Sequence, residues 1–171
     1  MIKRPSSLRL LKMVRQSTDD RASILESTPW LLDLTYKKIR DIAYYMEGYS
    51  LRDGNVLFEE GDDEAYLVVI VSGDIDITKL DSTQTSKFVT TLREGRVFGE
   101  MSLLDGEPRS ATAIAKGETM IYVLTKERFD ILQKEEPEAA LSVTLKMAKA
   151  ISQKLRQTTG QWVELVNEKN G

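Results

Sequence analysis

The spacing of hydrophobic positions changes twice along the chain, from helical to strand-like and back to helical. Residues 36–46 place four apolar side chains on one helical face: Ile39, Ile42, Ala43 and Met46. From about Tyr49 the apolar residues instead form short runs or alternate with polar ones, and glycines separate these runs. Helical spacing returns at Lys126. This order predicts a mainly β unit flanked by helices.

Within the β unit, each glycine-containing turn predicts the end of a short strand. The apolar run Tyr66–Val71 has the length of a buried strand, and Gly73-Asp74 predicts a tight turn after it. Lys116-Gly117-Glu118 likewise separates Ser110–Ala115 from Thr119–Thr125. Further strands are predicted over residues 55–59, 75–78 and 88–92. Short strands at this spacing predict an antiparallel sandwich, roll or barrel.

The last part of the chain has the pattern of one long amphipathic helix. Pro137 suits the first turn of a helix, because its missing N–H costs nothing there. Seven residues repeat at spacings of four and three: Thr144, Ala148, Ile151, Leu155, Thr158, Trp162 and Leu165. Gly160 lowers helix stability by about 1 kcal/mol relative to alanine and predicts a bend or an end. The stripe indicates either a homodimer through residues 140–165 or packing against the β unit.

The first residues are strongly basic. Residues 1–16 contain no acidic residue and five basic ones: Lys3, Arg4, Arg9, Lys12 and Arg15. Leu8, Leu11 and Val14 lie near helical spacing, which predicts a basic amphipathic arm. Such an arm could dock on an acidic partner or a membrane, but packing of its leucines on its own domain is the favoured interpretation.

Length and composition predict one domain. A chain of 171 residues with 41% apolar content can form one core. We divide it into an arm over 1–27, a β unit with its preceding helix over 28–135, and a helical lid over 136–171. A net charge of −3 gives no general attraction to nucleic acid. Because neither a bilayer-spanning run nor a signal peptide is present, we expect a soluble, cytoplasmic protein.

Catalysis has few candidate groups in this sequence. The chain contains no cysteine and no histidine, which excludes thiolate nucleophiles, imidazole bases and the usual zinc ligands. Carboxylates remain, but the sequence shows neither a nucleophile paired with a general base nor a cluster of metal ligands. We therefore expect a protein that is not an enzyme and that carries no catalytic residue, metal or cofactor.

Residues 96–113 carry the most informative pattern of the chain. Glu100–Asp105 has the length of a short helix, Gly106 is placed as its left-handed C-terminal cap, and Pro108 prevents continuation. Gly99, before the helix, lets a ligand approach the backbone closely. The unpaired amides of the first helical turn favour an anion such as a phosphate.

Two charged residues in this segment have complementary chemistry. The planar guanidinium of Arg109 can bind two oxygens of one phosphate. The carboxylate of Glu100 accepts hydrogen bonds but donates none, so it would bind a sugar hydroxyl rather than a phosphate. Together they fit a ribose phosphate, unless the two residues pair only with each other in a structural salt bridge.

The segment resembles a known family. Phe98-Gly-Glu-Met-Ser-Leu-Leu104 followed by Pro108-Arg-Ser-Ala-Thr112 is similar to the phosphate-binding cassette of cyclic nucleotide-binding domains. These domains occur in protein kinase regulatory subunits, nucleotide-gated channels and bacterial catabolite activators. The family's turns also have counterparts in this sequence, at Gly54, at Glu60-Gly61-Asp62 and at Gly73. The resemblance covers about residues 28–157 and implies an eight-stranded antiparallel β-roll of jelly-roll type.

The resemblance also implies the ligand and its contacts. Arg109 would bind the phosphate oxygens and Glu100 the ribose 2′-hydroxyl, with further ligand contacts from the rest of the cassette: Gly99, Met101, Ser102, Ser110 and Ala111. Ser110, which bacterial activators also have at this position, favours cyclic AMP over cyclic GMP. The final helix has Lys154 and Leu155 where the activator offers hydroxyls to adenine. Either this helix shifts, or apolar cover from Val71, Val97 or Leu155 holds the base.

The implied function is that of a cyclic nucleotide sensor whose final helix moves on binding, through a hinge at residues 126–135. Two alternatives remain: a scaffold that has lost its ligand, and a fragment of a catabolite-activator-type transcription regulator. The chain ends at Asn170-Gly171 without a helix-turn-helix, so we expect no direct DNA binding. An unidentified protein effector would contact the basic arm or the exposed part of the final helix.

Overall fold

The computed structural model describes residues 5–170, except for the side chains of residues 165 and 168–170. The helices are α1 (Ser6–Arg9), α2 (Thr18–Glu26), α3 (Tyr36–Tyr45), α4 (Glu100–Asp105), α5 (Lys126–Glu135) and α6 (Pro137–Asn170). The strands are β1 (Lys12–Val14), β2 (Glu47–Leu51), β3 (Val56–Phe58), β4 (Tyr66–Leu80), β5 (Ser86–Leu92), β6 (Val97–Phe98) and β7 (Thr112–Thr125).

Over the described residues the strands form one antiparallel sheet of seven strands. Its order is β1-β2-β7-β4-β5, while β3 pairs with β7 and β6 pairs with β4. The alternation of side chains along β4 divides the core in two. Leu67 and Val69 lie in the cluster between sheet and helices, whereas Val68 and Ile70 lie in the cluster inside the roll. The predicted antiparallel β-roll with flanking helices is confirmed, with seven strands rather than eight.

The strand count differs because two predicted turns are bulges inside long strands. β4 continues through Gly73, and its register with β7 shifts on both sides of Ser72. Gly73 has φ +83°, and a Cβ there would lie 2.5 Å from the carbonyl oxygen of Glu118. The glycine therefore allows close approach of two strands rather than a chain reversal. Gly117 likewise lies within β7 instead of separating two strands.

The arm is not one amphipathic helix. Among the described residues up to 16, the helix covers Ser6–Arg9 alone, and Lys12–Val14 forms a strand that pairs with β2, with Met13 opposite Tyr49. The expectation of one helix over the arm was therefore wrong for its described residues. The backbone N–H and C=O groups of Lys12–Val14 pair with the sheet instead. Leu8 is buried in the roll core, in line with the favoured packing of the arm on its own domain. Lys3 and Arg4 lie outside the described residues.

Helix α6 begins at Pro137, as predicted, and passes through Gly160 without ending. Its first turns contribute four residues to the core against the sheet and α3: Ala139, Ala140, Val143 and Met147. Beyond Ile151 its described side chains are exposed. Within residues 5–170 no helix combines the length and the apolar character needed to cross a membrane.

Candidate functional site

The cassette helix forms where the sequence predicts it. Gly99 precedes α4 with φ +77° and Gly106 follows it with φ +74°, both left-handed. Gly106 donates its N–H to the carbonyl of Ser102, which closes the last turn. Because the chain turns sharply at both ends of α4, this short helix connects β6 to the segment before β7.

Arg109 is fixed by its backbone and by its guanidinium. Its N–H donates to the Asp62 carbonyl and its carbonyl accepts from the Gly61 N–H, both at 2.8 Å. Its Nη1 donates to the Gly99 carbonyl at 3.1 Å and its Nη2 to the Tyr66 carbonyl at 3.0 Å. The guanidinium thus joins β4 to the residue that precedes Glu100.

Aromatic rings enclose the guanidinium. Arg109 Cζ lies 4.0 Å from the centre of the Phe58 ring and 4.2 Å from that of Tyr66, and the residue is only 3% exposed. Burial lowers the pKa of Arg109 from its ordinary value and raises the pKa of Tyr66 to about 12. Such rings stabilise a desolvated cation. The Nε atom of Arg109 is buried and has no hydrogen-bond partner among the residues that the structure describes.

Glu100 is as deeply buried, at 1% exposure. Its Oε1 accepts from Nζ of Lys154 on α6 at 2.7 Å, while its Oε2 is buried and has no hydrogen-bond partner within the described residues. Over the described part of the chain, no ion pair joins Glu100 to Arg109. The structural salt bridge between the two, left open by the sequence, is therefore not formed.

The other predicted site residues surround this pair to different degrees. Ser102 is buried and Ala111 half-buried, whereas Met101 and Ser110 are exposed. Val71 and Val97 are half-buried and pack against the core cluster that includes the helices. Leu155 is 65% exposed, and its neighbour Lys154 reaches the cassette instead. Contact of these residues with a ligand stays a prediction.

Several contacts at the site were not predicted from the sequence. Nζ of Lys79 donates to the Ser110 carbonyl at 2.6 Å and to Glu60 Oε1 at 2.7 Å. Glu60 Oε2 accepts the Leu80 N–H at 2.8 Å, and its own N–H donates to Thr112 Oγ1 at 2.9 Å. The sequence indicates the turn at Glu60-Gly61-Asp62. It does not indicate the contact of Glu60 with Lys79, because the two residues are far apart in the chain and no short motif joins them.

The arm also connects to the site, through Tyr66. Glu64 accepts hydrogen bonds from the backbone and hydroxyl groups of Ser6 and Ser7. Burial alone would raise the pKa of Glu64, but these hydrogen bonds outweigh it and the net shift is downward. The Ser7 hydroxyl lies 2.9 Å from Tyr66 Oη, which also donates to the Leu57 carbonyl at 2.9 Å. The hydroxyl end of the ring beneath Arg109 is therefore fixed by contacts with the arm and with Leu57.

Comparisons with known proteins agree on the nature of this unit. The sequence model described as "Cyclic nucleotide-binding domain" matches residues 49–136. A cAMP-dependent protein kinase regulatory subunit from Blastocladiella emersonii is 33% identical over 107 residues, which cover 63% of this chain and 27% of that protein. The chain thus spans about a quarter of the length of that relative.

Two crystal structures have the same fold. A cyclic nucleotide-binding domain from Methylobacillus flagellatus aligns with a TM-score of 0.80 at 21% identity, over 93% of this chain and 94% of that one. The catabolite activator protein of Thermus thermophilus aligns with a TM-score of 0.71 at 25% identity, over 81% of this chain and 63% of that one. The first likeness concerns the fold alone.

Proposed function

Because the chain belongs to the cyclic nucleotide-binding domain family, we propose that it binds a cyclic nucleotide through Glu100 and Arg109 and serves as a regulatory module rather than an enzyme. In this proposal Arg109 meets the phosphate, Glu100 accepts the ribose 2′-hydroxyl, and the backbone from Gly99 to Ala111 completes the site. No residue acts as a nucleophile or base, and the nucleotide leaves unchanged.

One observation carries the proposal. Glu100 Oε2 and Arg109 Nε are buried polar atoms without a hydrogen-bond partner over the described part of the chain. An unpaired buried acceptor and an unpaired buried donor are both costly, so their retention at one site favours a ligand that pairs with them. A sugar hydroxyl fits the acceptor and a phosphate oxygen fits the donor. Arg109 also bonds to Gly99, the residue next to Glu100, which keeps the two groups close.

Cyclic AMP is the first candidate ligand and cyclic GMP the second. The relative from Blastocladiella emersonii is named as a cAMP-dependent regulatory subunit, and a Thermus thermophilus relative as a cyclic AMP receptor protein. Ser110 favours the same choice by its resemblance to bacterial activators. With about two dozen heavy atoms at about 0.3 kcal/mol each, cyclic AMP should bind with a Kd of a few micromolar.

The first test is isothermal titration with cyclic AMP, cyclic GMP and 2′-deoxy cyclic AMP. We expect saturable binding of one cyclic AMP per chain, and a loss of about tenfold or more for the deoxy compound, which lacks the hydroxyl for Glu100. In Glu100→Gln the difference between cyclic AMP and its deoxy analogue should shrink, because the charged acceptor is gone.

Glu107→Gln is the matched control for that titration, since Glu107 is an exposed carboxylate of the same cassette. It should keep the full preference for the 2′-hydroxyl. Equal affinity of the wild type for cyclic AMP and the deoxy compound would contradict the assignment of Glu100. No binding of either cyclic AMP or cyclic GMP would favour the scaffold alternative. Recovery of hydrolysed nucleotide would contradict the proposed absence of catalysis.

The proposed output of binding is a change in the position of α6. This helix contacts α3 and α5 near its start and reaches the cassette through Lys154, so it links the binding site to the outer surface. A ligand that interacts differently with two positions of α6 shifts the population between them. The exposed half of α6 and the basic arm are the surfaces on which an effector protein would sense the change.

The exposed face of α6 supports a homodimer as a second feature of the proposal. Thr144 and Ile151 of the predicted stripe are half-buried on their own domain, and the Leu165 side chain lies outside the described residues. Exposed apolar side chains nevertheless continue at heptad-like spacing: Leu141, Leu145, Ala148, Leu155, Trp162 and Val166. Such a stripe is typical of a coiled-coil seam.

We expect sedimentation velocity to give a mass of two chains for the wild type. Trp162, 67% exposed, would be buried in the seam, so Trp162→Glu should shift the protein to a monomer by placing a charge there. Gln157→Glu adds the same charge on α6 off the seam and should remain dimeric. A wild type that is monomeric at high micromolar concentration would refute the seam.

A further inference from the structure

The contact between Lys154 and Glu100 joins the lid helix to the centre of the proposed site. Nζ of Lys154 lies 2.7 Å from Glu100 Oε1, across 54 positions of sequence. The lysine is 46% exposed, whereas the glutamate is almost completely buried. The pair is therefore asymmetric: the carboxylate is fixed inside the domain, and the ammonium approaches it from the solvent side.

The position of Lys154 on α6 follows from the packing of that helix. Val143 and Met147 are buried on the face toward the domain, and Ala150 and Ile151, the next residues on that face, are half-buried. Lys154 continues the same face, because it follows Met147 by seven residues and Ala150 by four. The core-facing stripe of α6 thus ends in a cation that pairs with the buried carboxylate.

A sugar hydroxyl and an ammonium are both donors, so they compete for the same carboxylate. In the described part of the chain Glu100 Oε2 has no hydrogen-bond partner, yet it is buried together with the rest of the side chain. A ligand can reach Glu100 only after Lys154 or its helix moves. Glu100 is fixed inside the domain, whereas the flexible stem of Lys154 lets its ammonium return to water. The buried carboxylate would then be costly without a partner, so a ligand hydroxyl that replaces the ammonium removes that cost.

We propose that Lys154 is a displaceable latch that holds α6 on the cassette in the unliganded protein and is expelled from Glu100 when a cyclic nucleotide binds. This inference rests on the proposed function, and it assigns to Lys154 the regulation of that site. The ligand hydroxyl replaces the ammonium on Glu100, and α6 is then free to take its second position. The latch lowers the apparent affinity, because only the unlatched fraction of the protein is competent to bind.

The first measurement is the affinity for cyclic AMP of wild type, Lys154→Met and Lys154→Arg. Methionine keeps the aliphatic stem but removes the donor, so Lys154→Met should bind about tenfold more tightly. Arginine keeps a cation that can pair with Glu100, so Lys154→Arg should bind less tightly than Lys154→Met. Lys149→Met is the matched control, since Lys149 is an exposed lysine of the same helix, and it should bind like the wild type.

The second measurement reports the position of α6 directly and compares the protein without and with ligand. The chain has no cysteine, so cysteines introduced at the exposed positions Gln157 on α6 and Arg52 on the roll can carry spin labels. Addition of cyclic AMP to the labelled wild type should change the distance distribution between them. The unliganded Lys154→Met protein should already show a larger share of that second distribution.

The outcomes separate the latch from the function on which it rests. Wild-type binding with equal or weaker binding by Lys154→Met would overturn the latch and leave the proposed function intact. Unchanged distances in unliganded Lys154→Met would overturn it as well. Failure of the wild type and of Lys149→Met to bind either cyclic AMP or cyclic GMP would overturn the proposed function, and the latch with it.

Discussion

Replacing Gly99 by alanine should destabilise the protein severely, whereas the same replacement at Gly106 should be tolerated. Both glycines flank α4 in left-handed conformations, with φ of +77° and +74°. Their surroundings differ. A Cβ at Gly99 would lie 2.6 Å from the Tyr66 carbonyl oxygen and 2.8 Å from Arg109 Nη1, whereas a Cβ at Gly106 would meet nothing within 4 Å.

The backbone penalty is therefore shared, and the clash is specific to Gly99. Gly106→Ala should cost about 1 kcal/mol of unfolding free energy, the penalty for a left-handed alanine. Gly99→Ala should cost about 3 kcal/mol or more, because the Arg109 guanidinium or the β4 backbone must move and break a buried hydrogen bond. Urea unfolding of the two variants measures the difference. Equal losses would mean that the space behind Gly99 adapts more easily than the packing indicates.

The cassette could be predicted from the sequence because its signals are local. A helix of six residues between two glycines, with a proline shortly after, admits few other conformations, and Glu100–Asp105 forms as expected. Glu100 and Arg109 are both buried beside this helix, and their contact with a ligand stays a prediction. Residue type and spacing carried this information without any knowledge of distant contacts.

The strands were predicted less well because their ends depend on non-local pairing. Gly73 resembles a turn signal, but its place beside Glu118 on the neighbouring strand makes it a bulge within β4. Leu8, Leu11 and Val14 have helical spacing, yet residues Lys12–Val14 pair with the edge of β2 and form a strand. In both cases the deciding partner lies far away in the sequence, where periodicity gives no signal.

The partners of the charged groups were equally hidden. The sequence indicated Arg109 as a phosphate ligand, but two of its donors bind the carbonyls of Gly99 and Tyr66. The resemblance marked Lys154 only as a departure from the hydroxyl residue of the activators. Its contact with Glu100 depends on how α6 packs on the domain. Such contacts come from tertiary packing, which residue type and spacing do not encode.

Substitution of Arg109 should have the largest effect on ligand binding. Arg109→Met keeps an unbranched apolar side chain beside Phe58 and Tyr66 but removes the charge and every donor that now lies against their rings. We expect the affinity for cyclic AMP to fall by about ten- to a hundredfold, because a charge-assisted contact is worth about 1.5–3 kcal/mol. Titration below the unfolding temperature of each variant measures this loss.

Arg109→Lys separates the charge from the geometry. Lysine retains the cation but cannot donate to two carbonyls and to a phosphate from one planar group, so it should recover only a small part of the affinity. Both variants should also lose stability, since the Gly99 and Tyr66 carbonyls lose their donors. Arg96→Lys, at an exposed arginine just before the cassette, should change neither property. Full binding by Arg109→Met would mean that Arg109 only braces Gly99 against β4, and the anion of the ligand would then have to be held by backbone amides of the cassette.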